Sequence, residues 1–270
     1  MKKFYFLFVL LFITGCNGQS TTQEENFLVH AFKVGKADSL LVSHQGQYVL
    51  IDAGEEDDGE KIVAYLQSKN IQKLHALIIT HFDKDHVGGA DFIVDALGIE
   101  HIYVPNYESN SKQTREFLEA IDEKQLTIET ITDVQELSVG EATGEIYPPK
   151  QMNFNGDNDQ SLVISLRYGE TSFLFAGDIE EPRIAELLTD SSISMPHTFL
   201  KVPHHGRFNE QTTALMEAVR PTHALITSSD KNPEHAETVT ALEAVDAQIW
   251  TTRKGDVEFR SEGERIEVNE

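Results

Sequence analysis

The sequence concentrates metal-ligating residue types directly after the apolar run LHALIIT at 74–80. Within positions 81–86 lie two histidines and two aspartates, namely His81, Asp83, Asp85 and His86. Gly88 and Gly89 follow, and they allow a tight turn into a helix. A loop with this spacing can turn its first His and Asp toward one cation and its second pair toward another. A solvent-exposed turn is the alternative, but it explains neither the two histidines nor their place between a strand and a helix.

The elements around this loop alternate between strand and helix patterns. Strand-like runs at 27–34, 39–43 and 48–51 indicate an antiparallel meander. Helices and strands then alternate, including a helix at 114–124, and the second half of the chain repeats this arrangement up to a strand at 257–260. Two such halves predict two sheets packed face to face with helices outside, and the polar loop ends are where a site belongs.

The composition limits both the ligands and the partners. The chain has 270 residues, of which 40% are hydrophobic, and this is enough for one large or two small domains with a sizeable core. Its single cysteine excludes an intramolecular disulfide and a zinc site of paired cysteines, so a metal must be held by His, Asp, Glu or Asn. The net charge of −23 argues against gripping duplex nucleic acid through overall charge.

The amino terminus has the pattern of an export signal. Lys2 and Lys3 precede an apolar run at 4–13, which as a helix extends about 15 Å, half of a bilayer's hydrocarbon core. This length is typical of a signal peptide, and the segment ending in Gly15-Cys16 resembles the bacterial lipoprotein signal. We predict a signal peptide at 1–15, a lipidated Cys16 with a polar tether to 26, and one domain at 27–270, anchored to a membrane of the cell envelope. Ordinary secretion with an incidental cysteine is the alternative.

Further motifs follow the loop's HxDxDH pattern and its Gly-Gly in an ordered series. They are VGKADS at 34–39, LIDAG at 50–54, NDQSLV at 158–163, FLFAGD at 173–178 and KVPHHG at 201–206. Together they resemble the metallo-β-lactamase superfamily, and within it the hydrolase domain of ComEC/Rec2-type competence proteins. The superfamily usually has HxHxDH, and an Asp at the second His position, here Asp83, is the variant of that branch. Lys36 and Ala37 depart from the VGQGD turn of the branch. The resemblance implies an α/β fold, the four-layer αββα sandwich of the metallo-β-lactamase type.

The resemblance also implies a site for two divalent metal ions. The four ligands of the loop would hold them, and Asp178 would bridge them through its two oxygens; capping of the helix near 180 is the alternative for this residue. Asp52 would support the loop from behind the ligands, or serve only as a turn residue. We assign Asp85, His204 and His205 as catalytic. Because consecutive side chains point apart, one of these two histidines faces the site, and the sequence leaves open which.

The remaining ligands follow from the same resemblance. His235, at the start of a helix, is our candidate for the last ligand of the second metal, with a solvent-facing histidine as the alternative. Most family members have a third His for the first metal, and here Asn158 and Asp159 stand in its place as metal or substrate ligands. Because oxygen ligands make the site harder, Mn²⁺ competes with Zn²⁺.

These features lead us to expect a metal-dependent hydrolase that activates water at a dinuclear site. The ComEC-like resemblance implies a phosphodiester substrate, with nucleic acid as one form, although the acidic balance disfavours polyanions unless the cleft is locally positive. Hydrolysis of a lactam, lactone or thioester and a non-catalytic metal-binding lipoprotein are the alternatives. The expected partners are a small or polymeric ester and, through the lipid anchor, a membrane.

Overall fold

The structure is a computed structural model, and it describes residue 1, residues 26–151, residue 154 and residues 156–270. The predicted signal peptide, Cys16 and nearly all of the tether therefore lie outside the described residues. The assignment of 27–270 to one domain stays a prediction.

The described part of the chain contains fifteen strands and seven α-helices. The strands are β1 (Phe27–Ala31), β2 (Leu40–His44), β3 (Gln47–Ile51), β4 (Lys73–Ile78), β5 (Gly98–Pro105), β6 (Ile128–Ile131), β7 (Gln135–Val139), β8 (Ala142–Tyr147), β9 (Val163–Tyr168), β10 (Thr171–Phe175), β11 (Phe199–Lys201), β12 (His223–Ile226), β13 (Gln248–Thr251), β14 (Val257–Ser261) and β15 (Ile266–Asn269). The helices are α1 (Gly59–Ser68), α2 (Lys84–Val87), α3 (Ala90–Ala96), α4 (Lys112–Glu123), α5 (Glu181–Thr189), α6 (Thr212–Val219) and α7 (Ala236–Glu243).

The strands form two mixed sheets. The first has the order β15-β14-β1-β2-β3-β4-β5-β6 and the second the order β13-β12-β11-β10-β9-β8-β7. The predicted meander of β1, β2 and β3 is antiparallel, whereas β3 to β6 and β10 to β13 run parallel. In α/β folds, ligands bind outside the carboxyl ends of parallel strands. The loops after β3, β4, β10, β11 and β12 are therefore the ones that can build a site.

Apolar side chains separate the sheets and cover their outer faces. Val29 and Phe175 belong to the core between the sheets. Ile62 of α1 and Phe117 of α4 pack on the outer face of the first sheet, and Leu215 of α6 packs on that of the second. The predicted four-layer αββα sandwich is confirmed.

Helix α4 begins two residues before the position that the sequence pattern predicts. Ser111 lies just before it, and the Ser111 side chain accepts a hydrogen bond from the backbone N–H of Thr114. Such a cap contributes about 1 kcal/mol to helix stability. The helix buries Phe117, Ala120 and Ile121 on one face, as their spacing of three and four residues predicts.

The sequence pattern does not predict β6, β7, β8 or β15. Strands β7 and β8 form a hairpin at the edge of the second sheet, and Gly140 in its turn has a φ of +60°. In β7 only Leu137 and Val139 are buried. Two apolar residues are too few to define a strand by periodicity, because the signal needs four to eight residues of alternation.

Candidate metal centre

The HxDxDH loop leaves the carboxyl end of β4 and packs its glycines against the loop after β3. A Cβ on Gly88 would collide with the carbonyl oxygen of Lys84 and the backbone of Glu55, and one on Gly89 would collide with the carbonyl oxygen of Ala53. Both glycines have negative φ, −56° and −95°. These glycines are therefore required because two backbone segments approach closely there. They do not serve the tight turn that the sequence suggested.

Three imidazole rings meet at this edge of the fold. His81, His86 and His205 are buried, and within the described residues the Nε2 atom of each makes no hydrogen bond. The Nδ1 atom of each ring is held instead. For His86 the partner is Asp52 Oδ2 at 2.8 Å, and for His205 it is Thr227 Oγ1 at 3.1 Å. A histidine that ligates a metal has this arrangement, because its second nitrogen is fixed by a hydrogen bond.

The ring of His81 is held by two hydroxyl groups. Its Nδ1 atom lies 3.2 Å from Thr80 Oγ1 and 3.3 Å from Ser161 Oγ. Burial, followed by the neighbouring His86, lowers the pKa of His81 well below its usual value. The ring is therefore neutral, which is the state in which imidazole binds a metal. The NDQSLV segment acts here through Ser161, a residue to which we assigned no role from sequence.

Asp178 presents its two carboxylate oxygens to different partners. Its Oδ2 atom lies 2.9 Å from His205 Nε2 and 3.3 Å from His86 Nε2, at ion-pair distance but not aligned as hydrogen bonds. Its Oδ1 atom lies 3.3 Å from Lys201 Nζ. The predicted bridge through both oxygens does not fit this geometry, because only Oδ2 faces the imidazoles.

Among the described residues, four groups of donor atoms could each hold a metal ion, and two of these groups contain two ligands of the HxDxDH loop each. In one group the donor atoms of His81, His86 and Asp178 all lie within 4.8 Å of one another, and in the other the same holds for Asp85, His86 and His205. Leaving buried nitrogen atoms without partners costs about 1–3 kcal/mol each, and a divalent cation removes that cost. Imidazole nitrogen with carboxylate oxygen suits Zn²⁺ and Mn²⁺. The residues therefore fit the dinuclear site that the motif predicts.

The family model described as the metallo-beta-lactamase superfamily matches residues 33–227. The chain belongs to this superfamily. It is 25% identical to ComE operon protein 3 of Bacillus subtilis over 254 residues, which cover 86% of this chain and 33% of the relative. It is 27% identical to Recombination protein 2 of Haemophilus influenzae over 254 residues, which cover 90% of this chain and 30% of the relative. The chain thus spans about a third of the length of these two relatives.

Solved structures share the metallo-beta-lactamase fold. The metallo-beta-lactamase fold protein YhfI of Bacillus subtilis superposes with a TM-score of 0.59 at 11% identity, and the match covers 87% of this chain and 100% of that protein. In the part of the chain that the structure describes, no helix has both the length and the apolar composition needed to cross a membrane.

A buried lysine lies behind this metallo-beta-lactamase centre. Lys201 is 1% exposed, and its Nζ atom donates to the carbonyl oxygen of Gly177 at 3.0 Å and pairs with Asp38 as well as Asp178. Burial alone would lower the pKa of Lys201, but Asp38 and Asp178 raise it above its usual value. Burial likewise opposes ionisation of Asp38, yet Lys201 and His205 hold its pKa below the usual value. Asp38 lies in the VGKADS motif and Lys201 in the KVPHHG motif. These motifs are the sequence signal that could have pointed to the buried ion pair.

Asp52 makes three hydrogen bonds to the segment of the HxDxDH loop. Its Oδ1 atom accepts a hydrogen bond from the backbone N–H of Thr80, and its Oδ2 atom accepts one from the Thr80 hydroxyl, each at 2.7 Å. The same Oδ2 atom binds His86 Nδ1. Asp52 has a φ of +58°, a conformation that is uncommon outside glycine and costs about 1–3 kcal/mol. The backbone is thus strained where it aims this carboxylate.

The structure distinguishes the two adjacent histidines. His205 faces the centre, whereas the side chain of His204 is 17% exposed and its Nδ1 atom lies 2.9 Å from Glu180 Oε1. Both have positive φ, 47° and 52°. His205 Nε2 lies 3.6 Å from Asp85 Oδ2, and this puts His205 beside the second pair of the loop.

The other predicted ligands lie outside the two groups. His235 accepts a hydrogen bond at Nδ1 from the Phe208 backbone at 3.2 Å. Asn158 donates to Glu180 Oε1 at 3.3 Å, and Asp159 Oδ1 accepts the Glu180 N–H at 2.8 Å. These contacts position the loop that contains Asp178. Asp159 belongs to none of the candidate metal groups among the described residues, and the role of Asn158 and Asp159 as ligands stays a prediction.

A cleft of about 670 Å³ opens over the HxDxDH loop. Asp83 lies at this opening with a side chain that is 42% exposed, and its Oδ2 atom is 3.8 Å from His81 Nε2. Three lysines line the cleft, Lys36, Lys84 and Lys231. The Nζ atom of Lys36 lies 2.9 Å from Asp85 Oδ2. Burial opposes ionisation of Asp85, but His205, His86 and Lys36 hold its pKa below the usual value.

Proposed function

We propose that this chain is a metal-dependent hydrolase that uses a dinuclear centre to cleave a phosphodiester or a related ester. Three buried Nε2 atoms make no hydrogen bond, and two of them, those of His86 and His205, lie within 3.3 Å of Asp178 Oδ2; this is the observation that supports the proposal most. Two divalent cations bound there would lower the pKa of water and polarise the ester.

The ligands divide between the two cations by their position in the cluster. His81, with Asp83 at the mouth, would hold the first, and Asp85 with His205 would hold the second. His86 and Asp178 stand between them, since the donor atoms of His86 belong to both groups. Lys201 Nζ pairs with Oδ1 of Asp178, and this contact orients Oδ2 toward the imidazoles. Zn²⁺ and Mn²⁺ are the cations that this donor set favours.

The cleft supports an anionic ester in spite of the acidic net charge. Lys36, Lys84 and Lys231 line the opening together with four carboxylates, those of Glu55, Asp83, Asp85 and Asp157. Cations bound by Asp83 and Asp85 would offset the charge of these carboxylates and leave the lysines to attract an anionic ester. His204, held by Glu180 at the edge of the centre, is placed to contact the bound ester. With the metals bound, these lysines would favour a phosphodiester over a neutral lactam.

The experiment is turnover of the purified chain after metal removal and reloading with Mn²⁺ or Zn²⁺. We expect hydrolysis of bis-p-nitrophenyl phosphate, with single-stranded DNA and nitrocefin as comparison substrates. Asp85→Ala should abolish turnover, whereas the exposed Asp95→Ala should retain it. Absence of hydrolysis for every ester at full metal occupancy would refute the proposal. Cleavage of nitrocefin alone would show that the substrate is a lactam and not a phosphodiester.

We also propose that Cys16 anchors the protein to a membrane of the cell envelope through a lipid. The sequence around Cys16 supports this assignment. Cys16→Ser should move the protein from the membrane to the soluble fraction without changing its turnover. Retention of the variant in the membrane fraction would reject the anchor.

A further inference from the structure

A second cleft adjoins the cleft over the HxDxDH loop, and we call it the side cleft. It has a volume of about 460 Å³, and Phe82 and Ser109 line both clefts. Phe82 lies between His81 and Asp83 in the loop itself. The side chain that follows the first histidine of the loop is therefore a wall shared by the metal cleft and the side cleft.

The loop after β5 builds most of the other wall. Strands β4 and β5 are parallel neighbours, so the loops that follow them lie at the same edge of the sheet, where ligands bind in α/β folds. The hydroxyl of Tyr107 accepts a hydrogen bond from the backbone N–H of Phe82 at 2.6 Å, and the two ring centroids are 5.1 Å apart. Ser109 Oγ accepts a hydrogen bond from the Thr114 hydroxyl at 3.2 Å, which ties the loop to α4. Two aromatic rings are thus held in place beside the metal ligands.

The side cleft is far less charged than the cleft over the metal ligands. Pro105, Leu118 and Ile128 line it together with the two rings, and among its described lining residues only Glu108 is charged. Leu118 is 40% exposed, so an occupant of the cleft can reach it. An uncharged ring suits this lining, because its apolar area would leave water there, whereas Glu108 would repel an anion.

We propose that the side cleft binds an uncharged aromatic group of the ester whose phosphate lies at the metal centre. The inference rests on the proposed hydrolase function and names the substrate class, a phosphate ester with a flat ring on one of its alcohol components. Such a ring would contact Phe82 and Tyr107, since aromatic rings attract each other in offset or edge-to-face arrangements. The amides of Asn106 and Asn110 also line the side cleft, and they supply donors and acceptors for the edge of a heterocyclic ring.

The experiment measures the binding of phenyl phosphate and of methyl phosphate to the Zn²⁺-loaded chain by isothermal titration calorimetry. The two probes share the phosphate group and differ in the ring. We expect phenyl phosphate to bind about tenfold more tightly, because the ring buries apolar area and packs on aromatic side chains. In Leu118→Ser this ratio should fall to about threefold, since apolar contact area is lost. Val134→Ser is the matched control, because Val134 is also exposed, at 46%, and does not line the side cleft.

Equal affinities of the two probes in the unaltered chain, or failure of both to bind, would overturn the proposal. A ratio that is unaltered in Leu118→Ser, or that falls equally in Val134→Ser, would also overturn it. Leu118→Gln, which is closer in volume, takes the place of Leu118→Ser if the serine variant does not fold. Turnover of bis-p-nitrophenyl phosphate, measured in parallel, tests the proposed function separately. A preference for phenyl phosphate in a chain that hydrolyses no ester would support the side cleft and reject the hydrolase.

Discussion

The two histidine clusters differ in how much water reaches them. At the proposed metal centre the side chains of His81 and His86 are 0% exposed, whereas those of His75 and His101, in the cleft between the first sheet and the β7–β8 hairpin, are 22% and 41% exposed. Water can satisfy an exposed Nε2 atom, but a buried one pays the full cost of a missing partner. The buried cluster therefore fits a bound cation, whereas water can satisfy the partly exposed pair.

The largest effect should come from Asp178, the carboxylate common to the buried imidazoles. Asp178→Ala removes the oxygen that faces His86 and His205, and it leaves Lys201 with Asp38 as its remaining carboxylate partner. We expect kcat/KM for bis-p-nitrophenyl phosphate to fall by about a thousandfold or more, since charge stabilisation at the metals is lost. Asp95→Ala is the surface control. Wild-type turnover in Asp178→Ala would reject Asp178 as a ligand of the metal centre.

The next effect concerns the buried cation Lys201. Lys201→Met should lower the free energy of unfolding by about 3–5 kcal/mol, because it leaves buried carboxylates without their partner. Adding Asp38→Asn should restore part of this loss, and urea unfolding in the presence of a chelator measures both. Lys124→Met, at an exposed pair with Asp95, is the control. Equal stability of Lys201→Met and Lys124→Met would show that Lys201 does not neutralise the centre.

The stabilisation of the folded chain by Zn²⁺ should depend on the buried cluster and not on His75 and His101. Free Zn²⁺ at a hundred times its dissociation constant stabilises a folded protein by about 2.7 kcal/mol. We expect most of this gain to survive in His75→Gln with His101→Gln and to vanish in Asp178→Ala. Thermal unfolding with and without a chelator gives the comparison. A gain that disappeared in the His75 and His101 variant and survived in Asp178→Ala would contradict our assignment of the metal ligands.

A smaller effect is expected from Lys36 in the cleft over the loop. Lys36→Met should raise KM for a phosphodiester by about tenfold while kcat changes less, since removing one charge-assisted contact costs about 1.5 kcal/mol. Lys33→Met, on the same segment but outside this cleft, should leave KM unchanged. The steady-state rates at several ionic strengths measure both variants. A fall in kcat at constant KM would instead indicate that Lys36 acts by orienting Asp85 and does not contact the substrate.

The smallest effect should be on the free energy of unfolding of the metal-free chain when the partly exposed His75 and His101 are replaced. Replacing both His75 and His101 by Gln should change the free energy of unfolding by no more than about 0.5 kcal/mol, as is usual for surface positions. His86→Gln, which disturbs the buried Asp52 pairing, should cost clearly more. Urea unfolding of the metal-free proteins tests the difference. Equal losses would mean that burial is not what separates the clusters.

Much of the fold and part of the site could be predicted from sequence. Long apolar strands such as the one before His81, and ordered motifs such as FLFAGD, have signals that depend only on neighbouring residues. The edge hairpin at β7 and β8 was not predicted, because its two apolar residues in β7 are too few for a periodic pattern. His235 was preferred as a ligand because it begins a helix after a strand, and local pattern could not show that its ring binds the Phe208 backbone.

The sequence by itself determined the chemistry of the centre: the HxDxDH loop, Asp178 and the histidines that follow a strand supply nitrogen and oxygen ligands and exclude thiolate sites. Only the tertiary structure decided that His205 faces inward, that Asp178 offers one oxygen, and that Lys201 with Asp38 lies behind it. The reason is that these choices depend on contacts between loops at the ends of different strands, on left-handed backbone at 204 and 205, and on burial. Local sequence specifies residue types and elements, and packing of the two sheets decides which atoms meet.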